Sequence, residues 1–341
     1  MTDIPLYVAG LGMVSALASG APFNAAAMRC GYSGTEQLSD TSDDGQIVAK
    51  APLPDDLRGS ARMVQMLCDA ITEALQALPT GAKVPLYVCT ETNDLLRDPC
   101  PNLSHILYEK LQQLPIAENI DYDHSQHISR GRVGFAHAIH TAQQRQQTQP
   151  SPYYLIVGIA SYLYPQQLNY YRGLGRLFGP NNPDAFIPGE ASVALLLQTS
   201  APSTATSILL GAGFGDEPGP IDGNQPITGN GLTAAVRAAE AASGVSSNAT
   251  DFRISSASGE AYFFRELSIV QGRTLDDPKP EHPLWHPADH IGEVGAASGA
   301  AMVVMAHYAF QKGYAPGPRA LCQLSNDDAS RAAFILEWSK P

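Results

Sequence analysis

Short apolar runs alternate with helix-like patterns along the whole chain, and this alternation limits the folds that the chain can adopt. Runs typical of buried strands occupy residues 6–9, 85–89, 153–159, 191–197, 207–212, 252–257, 320–324 and 332–338. Helical spacing of apolar residues is found at 60–78, 134–147, 231–243 and 296–312. Strands that alternate with helices predict an α/β protein in which helices cover the faces of the sheets.

The same schematic order of elements occurs twice. Each half begins with a strand that runs into a glycine-rich segment, at residues 10–12 and again at 211–215, which we interpret as a turn. A helix, a strand, a second helix and two closing strands complete each half. The small polar segment 199–206 (TSAPSTAT) has the composition of a connector, so we predict an amino-terminal half at residues 1–200 and a carboxy-terminal half at 206–341.

Charge and composition exclude several classes of function. The chain has 33 acidic and 21 basic residues, a formal net charge of −12, which repels phosphate backbones and anionic lipid headgroups. No apolar run reaches the roughly 20 residues that span a bilayer. The five cysteines are odd in number and form no CxxC pair, and the first ten residues lack the basic residues of a signal peptide. We therefore expect a soluble cytoplasmic protein that binds neither nucleic acid nor membranes.

Five segments, in the correct order, resemble the β-ketoacyl synthases of the thiolase superfamily. They are residues 8–15 (VAGLGMVS), 30–34 (CGYSG), 155–158 (LIVG), 186–191 (FIPGEA) and 291–299 (IGEVGAASG). No single segment is specific, but five of them at compatible spacing cover most of the chain. The resemblance implies a thiolase-like five-layered αβαβα fold that is built from two similar halves and is usually dimeric.

The nucleophile of this family has no counterpart in the chain. The family's cysteine lies at a helix amino terminus, where the helix dipole favours the thiolate. The resemblance places that position near Arg132 or Val133, and the sequence has no cysteine between Cys100 and Cys322.

The family's two histidines are missing as well. The first would lie near Ala257, but no histidine occurs between His140 and His282. The second falls on Glu293, and the family's nearby lysine falls on Ala288. Without these groups, the resemblance implies no residue that could activate a malonyl group or stabilise its enolate.

The family's oxyanion loop is also changed. It matches residues 325–330 (SNDDAS), which contain no glycine and carry two acidic side chains that would repel a developing negative charge. The threonine motif that holds a phosphopantetheine arm is absent. The resemblance therefore implies the family's fold without its reaction.

These features lead us to predict a non-catalytic β-ketoacyl synthase-like protein, a pseudoenzyme that works through protein contacts. The nearest precedent in the family is the chain-length factor, which keeps the fold, lacks the cysteine and pairs with an active synthase. An adaptor in another bacterial assembly, including one linked to secretion, is the second form of this prediction. Either form implies a homodimer or a heterodimer with a synthase-like subunit, an acyl chain as a candidate ligand, and no cofactor.

An enzyme with a repurposed site is the alternative. Glu293, His290 and Asp289 cluster at a predicted helix entry, where a carboxylate could serve as a new general base in acyl transfer. A carboxylate that caps backbone amides is the simpler interpretation. The enzyme hypothesis requires an open pocket that reaches Glu293, and it fails if Arg132, Glu293 and Asp327 pack together without a cavity.

Four histidines form the remaining pattern of interest. His124, His127, His137 and His140 lie within 17 residues and could together bind Zn²⁺ or Ni²⁺. Surface histidines on a polar loop and helix explain the same pattern more simply, so we assign no metal. A dinucleotide loop is rejected because residues 10–15 lack its third glycine.

Overall fold

The structure, a computed structural model, describes residues 4–38, 45–92, 106 and 109–339. The strands are β1 (Leu6–Ser15), β2 (Thr35–Gln37), β3 (Ile47–Ala49), β4 (Leu86–Thr90), β5 (Gln126–Ser129), β6 (Tyr153–Ser161), β7 (Glu190–Gln198), β8 (Ser207–Asp216), β9 (Phe252–Ser255), β10 (Leu284–Trp285), β11 (Arg319–Ser325) and β12 (Ser330–Trp338). The helices are α1 (Ala21–Arg29), α2 (Gly59–Ala74), α3 (Gly134–Thr148), α4 (Pro165–Gly173), α5 (Asn230–Ser243), α6 (Ala261–Thr274), α7 (Ala288–Ile291) and α8 (Ser298–Gln311).

The main sheet consists of two halves with the same internal strand order. In the described residues, the first half runs β1-β7-β6-β4-β5 and the second runs β8-β12-β11-β9-β10. In each half, the first three strands are antiparallel neighbours and the last three are parallel neighbours. The halves join where β1 and β8 pair as antiparallel strands over two residues, Leu6 with Leu209 and Tyr7 with Ile208. This repetition supports our division into residues 1–200 and 206–341, which we propose as the two halves of the fold.

Hydrophobic clusters define five layers. The largest cluster lies between the two half-sheets and contains residues of α3 and α8. A second cluster packs α2 on the outer face of the first half-sheet, and a third packs α5 and α6 on the outer face of the second. Strand β7 shows the arrangement directly, because Val193 and Leu195 belong to the central cluster while Ala194 and Leu196 belong to the outer one. The fold is α/β with the layering that the resemblance implies.

The glycines that we interpreted as turns instead continue two strands. Strand β1 passes through Gly10 and Gly12, and β8 passes through Gly213. A side chain at Gly12 would overlap the carbonyl oxygen of Ala70 in α2, and one at Gly213 would overlap that of Ala235 in α5. The turn prediction is wrong because these glycines allow a helix to pack closely on a strand, a role that requires no change of chain direction.

Sequence patterns predict the strongly periodic elements and miss the polar ones. Helix α5 ends at Gly244 in the left-handed conformation, as its sequence predicts. Helices α1, α4, α6 and α7 and strands β2, β3, β5 and β10 have no counterpart among the predicted elements. A helical pattern at residues 103–111 falls largely outside the described residues. Within the part of the chain that the structure describes, no helix is both long and apolar enough to cross a membrane.

We expect Gly12→Ala to destabilise the protein by about 2–3 kcal/mol, because the added methyl group must displace the backbone of α2. The matched control is Gly173→Ala at the end of α4, where an added Cβ meets no atom within 4 Å. Urea unfolding of the two variants measures the difference. Equal stability of both variants would contradict the close-packing account.

Candidate functional site

The two central helices begin in the same way, and the candidate site lies where they begin. A 3₁₀ turn at Gly131–Val133 leads into α3, and another at Gly295–Ala297 leads into α8. Each turn starts with a glycine at positive φ, 57° at Gly131 and 46° at Gly295, which a residue with a side chain adopts only with strain. Arg132 is therefore presented at the amino-terminal end of α3, next to the entry of α8.

Arg132 is buried among carboxylates. Its Nε donates to Glu293 Oε1 at 3.0 Å, and Nη2 lies 2.9 Å from Oε2 of the same carboxylate. Its Nη1 donates to Asp327 Oδ1 at 2.8 Å and to the carbonyl oxygen of Ser325 at 3.3 Å. Only 3% of Arg132, 1% of Glu293 and 5% of Asp327 is exposed. The guanidinium is thus enclosed by two carboxylates of the second half.

A second arginine extends this network. Arg176, in the loop after α4, contacts Asp327 Oδ2 through Nη1 at 2.9 Å. Its Nε and Nη2 donate to Glu260 at 2.6 and 2.8 Å. Tyr171 donates from its hydroxyl to Asp327 Oδ2 at 3.4 Å. We call Arg132, Arg176, Glu260, Glu293 and Asp327 the buried charge cluster.

The loop that carries Asp327 is fixed from behind. Arg331 of β12 forms a fully buried ion pair with Glu266 of α6 at 2.7 Å. The Nη1 atom of Arg331 donates to the carbonyl oxygens of Asn326 at 3.0 Å and Asp328 at 2.6 Å. The loop between β11 and β12 therefore holds Asp327 toward Arg132, where the family resemblance expects an oxyanion loop.

The electrostatics of the cluster are consistent with permanent charge. Burial would raise the pKa of Asp327, but Arg132 and Arg176 hold that pKa well below its ordinary range. Burial would lower the pKa of Arg132, but Glu293 and Asp327 raise it well above its ordinary value. The two shifts favour the ionised form of Asp327 and the protonated form of Arg132.

Glu91 lies at the edge of the cluster and behaves differently. Burial raises the pKa of its carboxyl group to about 7, although Arg132 and a hydrogen bond from the backbone oppose this shift. That hydrogen bond comes from the Ala296 amide to Glu91 Oε1 at 2.7 Å, and the Tyr162 hydroxyl lies 3.4 Å from Oε2. Gly295 has no room for a side chain because Glu91 occupies the space. Glu91 thus lies over the entry of α8 and titrates near neutral pH.

The site has almost no empty space. The cavity beside Arg132 has a volume of about 10 Å³ and is lined by Glu91, Tyr162, Tyr171 and Asp327, among others. That volume holds roughly one water molecule. Arg132, Glu293 and Asp327 are packed together beside this small cavity, which is the arrangement that disfavours the enzyme hypothesis.

The structure does not join the three proposed residues of a repurposed site. Glu293 is engaged with Arg132 and also accepts a hydrogen bond from the Gly295 amide at 2.7 Å. Asp289 is exposed and lies 3.3 Å from His286, whereas His290 contacts the carbonyl oxygen of Tyr32 at 2.9 Å. The carboxylate of Glu293 therefore acts as the capping group of the simpler interpretation.

The other positions implied by the resemblance are apolar and buried. Val133 packs in the central cluster, and Ala257 packs in the outer cluster with Phe263 and Leu321. Among the described cysteines, Cys68, Cys89 and Cys322 are buried and Cys30 is exposed, while Cys100 lies outside the described residues. Burial raises the pKa of the Cys89 and Cys322 thiols, which makes them poor nucleophiles.

The four histidines have separate partners. His124 contacts Asp121 at 2.7 Å, His127 contacts Thr90 at 2.7 Å, and His140 contacts Gln144 at 2.7 Å. His137 stacks on Phe214, and burial lowers its pKa to about 4. Among the described residues, no group of three or more side chains is arranged to hold a metal ion.

Solved structures with the same fold include ketosynthases and their complexes. One match is a chain in the structure of a type II PKS acyl-carrier protein in complex with its ketosynthase bound to the hexaketide. The TM-score is 0.82 at 15% identity, covering 98% of this chain and 100% of that chain. The ishigamide ketosynthase/chain length factor gives 0.78 at 15% identity, covering 98% and 99%. A β-ketoacyl synthase from Burkholderia phymatum STM815 gives 0.75 at 13% identity, covering 100% of both chains.

At these identities the similarity establishes the fold, and the chain has the thiolase-like fold of ketosynthases. The resemblance drawn from the sequence is confirmed at that level. No protein-family model matches the chain, and no curated protein sequence matches it.

Removing the guanidinium of the cluster should be strongly destabilising. Arg132→Met leaves Glu293 and Asp327 as buried carboxylates without their main partner, at an expected cost of about 3–5 kcal/mol. The matched control is Arg130→Met, two residues away and exposed, with an expected change within about 0.5 kcal/mol. Urea unfolding compares them. A loss below about 1 kcal/mol in Arg132→Met would show that the cluster is not structural.

Glu91 should make stability depend on pH. Its folded-state pKa lies above its ordinary value of 4.5, so the folded chain holds this proton more tightly than the unfolded chain, and stability falls as pH rises from about 4.5 to about 7. As pH rises from 5 to 8, the free energy of unfolding of Glu91→Gln should increase by about 2 kcal/mol relative to that of the natural chain. This value is smaller than the free energy that corresponds to the full pKa shift, because the side chain is partly exposed to solvent. Exposed Glu118→Gln is the control, and parallel pH profiles for Glu91→Gln and the natural chain would refute the prediction.

Proposed function

We propose that the chain is a non-catalytic, ketosynthase-like subunit that works through contacts with another protein. The observation that carries this proposal is the burial of Arg132 at the start of α3, with its charge divided between Glu293 and Asp327. The resemblance assigns that position to a nucleophilic cysteine. A permanently charged arginine cannot attack a thioester, because its guanidinium stays protonated.

The partners of Arg132 add to this argument. An oxyanion site needs donors directed at developing negative charge. Here the loop between β11 and β12 directs Asp327 inward, so it presents an acceptor where a donor is needed. Glu293, at the second histidine position of the family, is an acceptor already occupied by Arg132 and the Gly295 amide. The same side chains that stabilise the site are chemically wrong for condensation.

The small cavity beside Arg132 limits where an acyl ligand could bind. A cavity of about 10 Å³ beside Arg132 admits no acyl chain. An acyl ligand, if the chain carries one, would occupy a different part of the protein or a surface shared with a partner. We therefore propose that the chain functions through contacts with another protein and not through chemistry at the buried charge cluster.

The proposed class of partner is based on the complexes found among the structures with the same fold. Among the structures with the same fold are a ketosynthase with its chain length factor and a ketosynthase with its acyl-carrier protein. We propose that this chain forms a homodimer or a heterodimer with a synthase-like subunit, in the manner of a chain-length factor. An adaptor role in another bacterial assembly, including a secretion-linked one, would use the same fold with a different partner.

Native mass spectrometry of the tagged chain, purified from its own host, tests the proposal. We expect a dimer, either of the chain alone or in a one-to-one complex with a ketosynthase-like chain that retains a cysteine and two histidines. The second result selects the chain-length-factor form. A monomer that carries no synthase-like chain at stoichiometric level, across a range of protein concentrations, would contradict the proposal.

A further inference from the structure

Arg253 of β9 is a buried cation for which the described part of the chain supplies no counterion. Only 7% of the residue is exposed, and its Nε and Nη1 atoms are shielded from solvent without a hydrogen-bond partner among the described residues. Burial lowers the pKa of Arg253 to about 10, with no carboxylate to offset the effect. A buried charge in this condition is costly unless a partner that is not part of the chain compensates it.

Other buried arginines of the protein show what is missing. Each of them has a buried carboxylate within ion-pair distance: Arg62 with Glu190 at 2.6 Å, Arg132 with Glu293 at 2.9 Å, and Arg331 with Glu266 at 2.7 Å. The fold therefore supplies counterions for internal arginines as a rule. Arg253 departs from that rule.

A histidine beside Arg253 is also incompletely bonded. His282 is 9% exposed, and its Nε2 lies 3.1 Å from Thr250 Oγ1. The Thr250 hydroxyl donates to the carbonyl oxygen of Ser247 at 2.7 Å, so Nε2 carries the proton and donates to Thr250. The Nδ1 atom of His282 is buried with no hydrogen-bond partner among the described residues.

The strand register brings these two residues together. Arg253 pairs with Leu284 in the parallel β9–β10 ladder, and its amide donates to the carbonyl oxygen of Pro283 at 2.8 Å. His282 lies two residues before Leu284, and the charge of Arg253 acts on its imidazole. Burial, together with the positive charges of Arg253 and Lys279, lowers the pKa of His282 to about 4. The three basic side chains thus share one electrostatic environment.

Burial is the cause of the Arg253 pKa shift, and three acidic side chains near Arg253 or His282 in the sequence have other partners. Asp251 accepts a hydrogen bond from the Arg319 amide at 2.9 Å, and its charge acts on Lys279. Asp276 lies 3.7 Å from Arg237, and Asp277 accepts a hydrogen bond from Asn248 at 3.4 Å. Lys279 itself donates to the carbonyl oxygen of Thr250, whose hydroxyl contacts His282.

We propose that Arg253 and His282, with Lys279 at the rim, form a binding site for an oxyanion group, a phosphate or a carboxylate. The anion neutralises the charge of Arg253, for which the described residues supply no carboxylate. Protonation of His282 at Nδ1 adds a further donor when the anion is present. This site lies on the second half, outside the buried charge cluster, and does not depend on the proposed partner function.

Thermal unfolding with inorganic phosphate tests the site, with potassium chloride at matched ionic strength as the reference. We expect a saturable rise in Tm of at least about 2 °C for the natural chain, no such rise for Arg253→Met, and a smaller one for His282→Gln. Arg237→Met, at an exposed arginine, is the matched control and should respond like the natural chain. Acetate in place of phosphate distinguishes the two sources, because an equal response assigns the site to carboxylates.

The charge state of His282 gives an independent readout that does not require a stable Arg253 variant. Phosphate should raise the pKa of His282, measured by NMR on the natural chain, by at least about one unit, because the anion replaces two repelling cations as its nearest charge. An unchanged pKa, or a phosphate response of equal size in Arg253→Met, would overturn the proposal. Those results would assign the unpaired donors to internal water.

Discussion

The contact of Arg132 with Glu293 and Asp327 determines how the rest of the site is arranged. It joins the entry of α3, the entry of α8 and the loop between β11 and β12, so elements from both halves converge on one guanidinium. A cation is unfavourable at a helix amino terminus, where the helix dipole is positive. Two carboxylates must therefore stay close to Arg132, and the loop that carries Asp327 is held in place by the Arg331–Glu266 ion pair.

This constraint explains why the site is closed, and it supports the proposal that the site is non-catalytic. Opening a pocket beside Arg132 would expose or separate groups whose mutual attraction offsets their loss of water. The family's reaction needs a thiolate, two neutral or donating groups and an oxyanion site in the same volume. The chain fills that volume with an arginine and acceptors, which is the inverse charge pattern. The fold is retained because close packing of glycine-bearing strands on α2 and α5 does not depend on which residues line the centre.

The sequence predicts the architecture better than the site because the two depend on different kinds of information. Continuous apolar strands such as β7 and the alanine-rich α8 are local patterns that periodicity detects. Gly10 and Gly12 misled the turn prediction because close helix packing and tight turns use the same residue. The family resemblance directed attention to the positions of Arg132 and Glu293, and the acidic composition of residues 325–330 directed attention to Asp327.

The remaining members of the cluster had no local signal. Arg176 and Glu260 are 84 residues apart and meet only through the packing of the two halves. Glu91 lies in a polar stretch whose pattern predicts no element, and its raised pKa arises from burial that the sequence does not display. Arg253 is similar, because one arginine in an apolar strand does not indicate whether a carboxylate will face it. Long-range charge pairing becomes visible only when the halves are assembled.

The most direct test of the central claim is the release of CO₂ from a malonyl thioester by the purified chain, combined with intact-protein mass spectrometry. The account predicts no release above the uncatalysed rate and no acyl adduct at the entry of α3, with any acylation confined to accessible thiols such as Cys30. CO₂ release that is abolished by Glu293→Gln and retained in Glu118→Gln would contradict the account, because it would show that the buried charge cluster is a reaction centre.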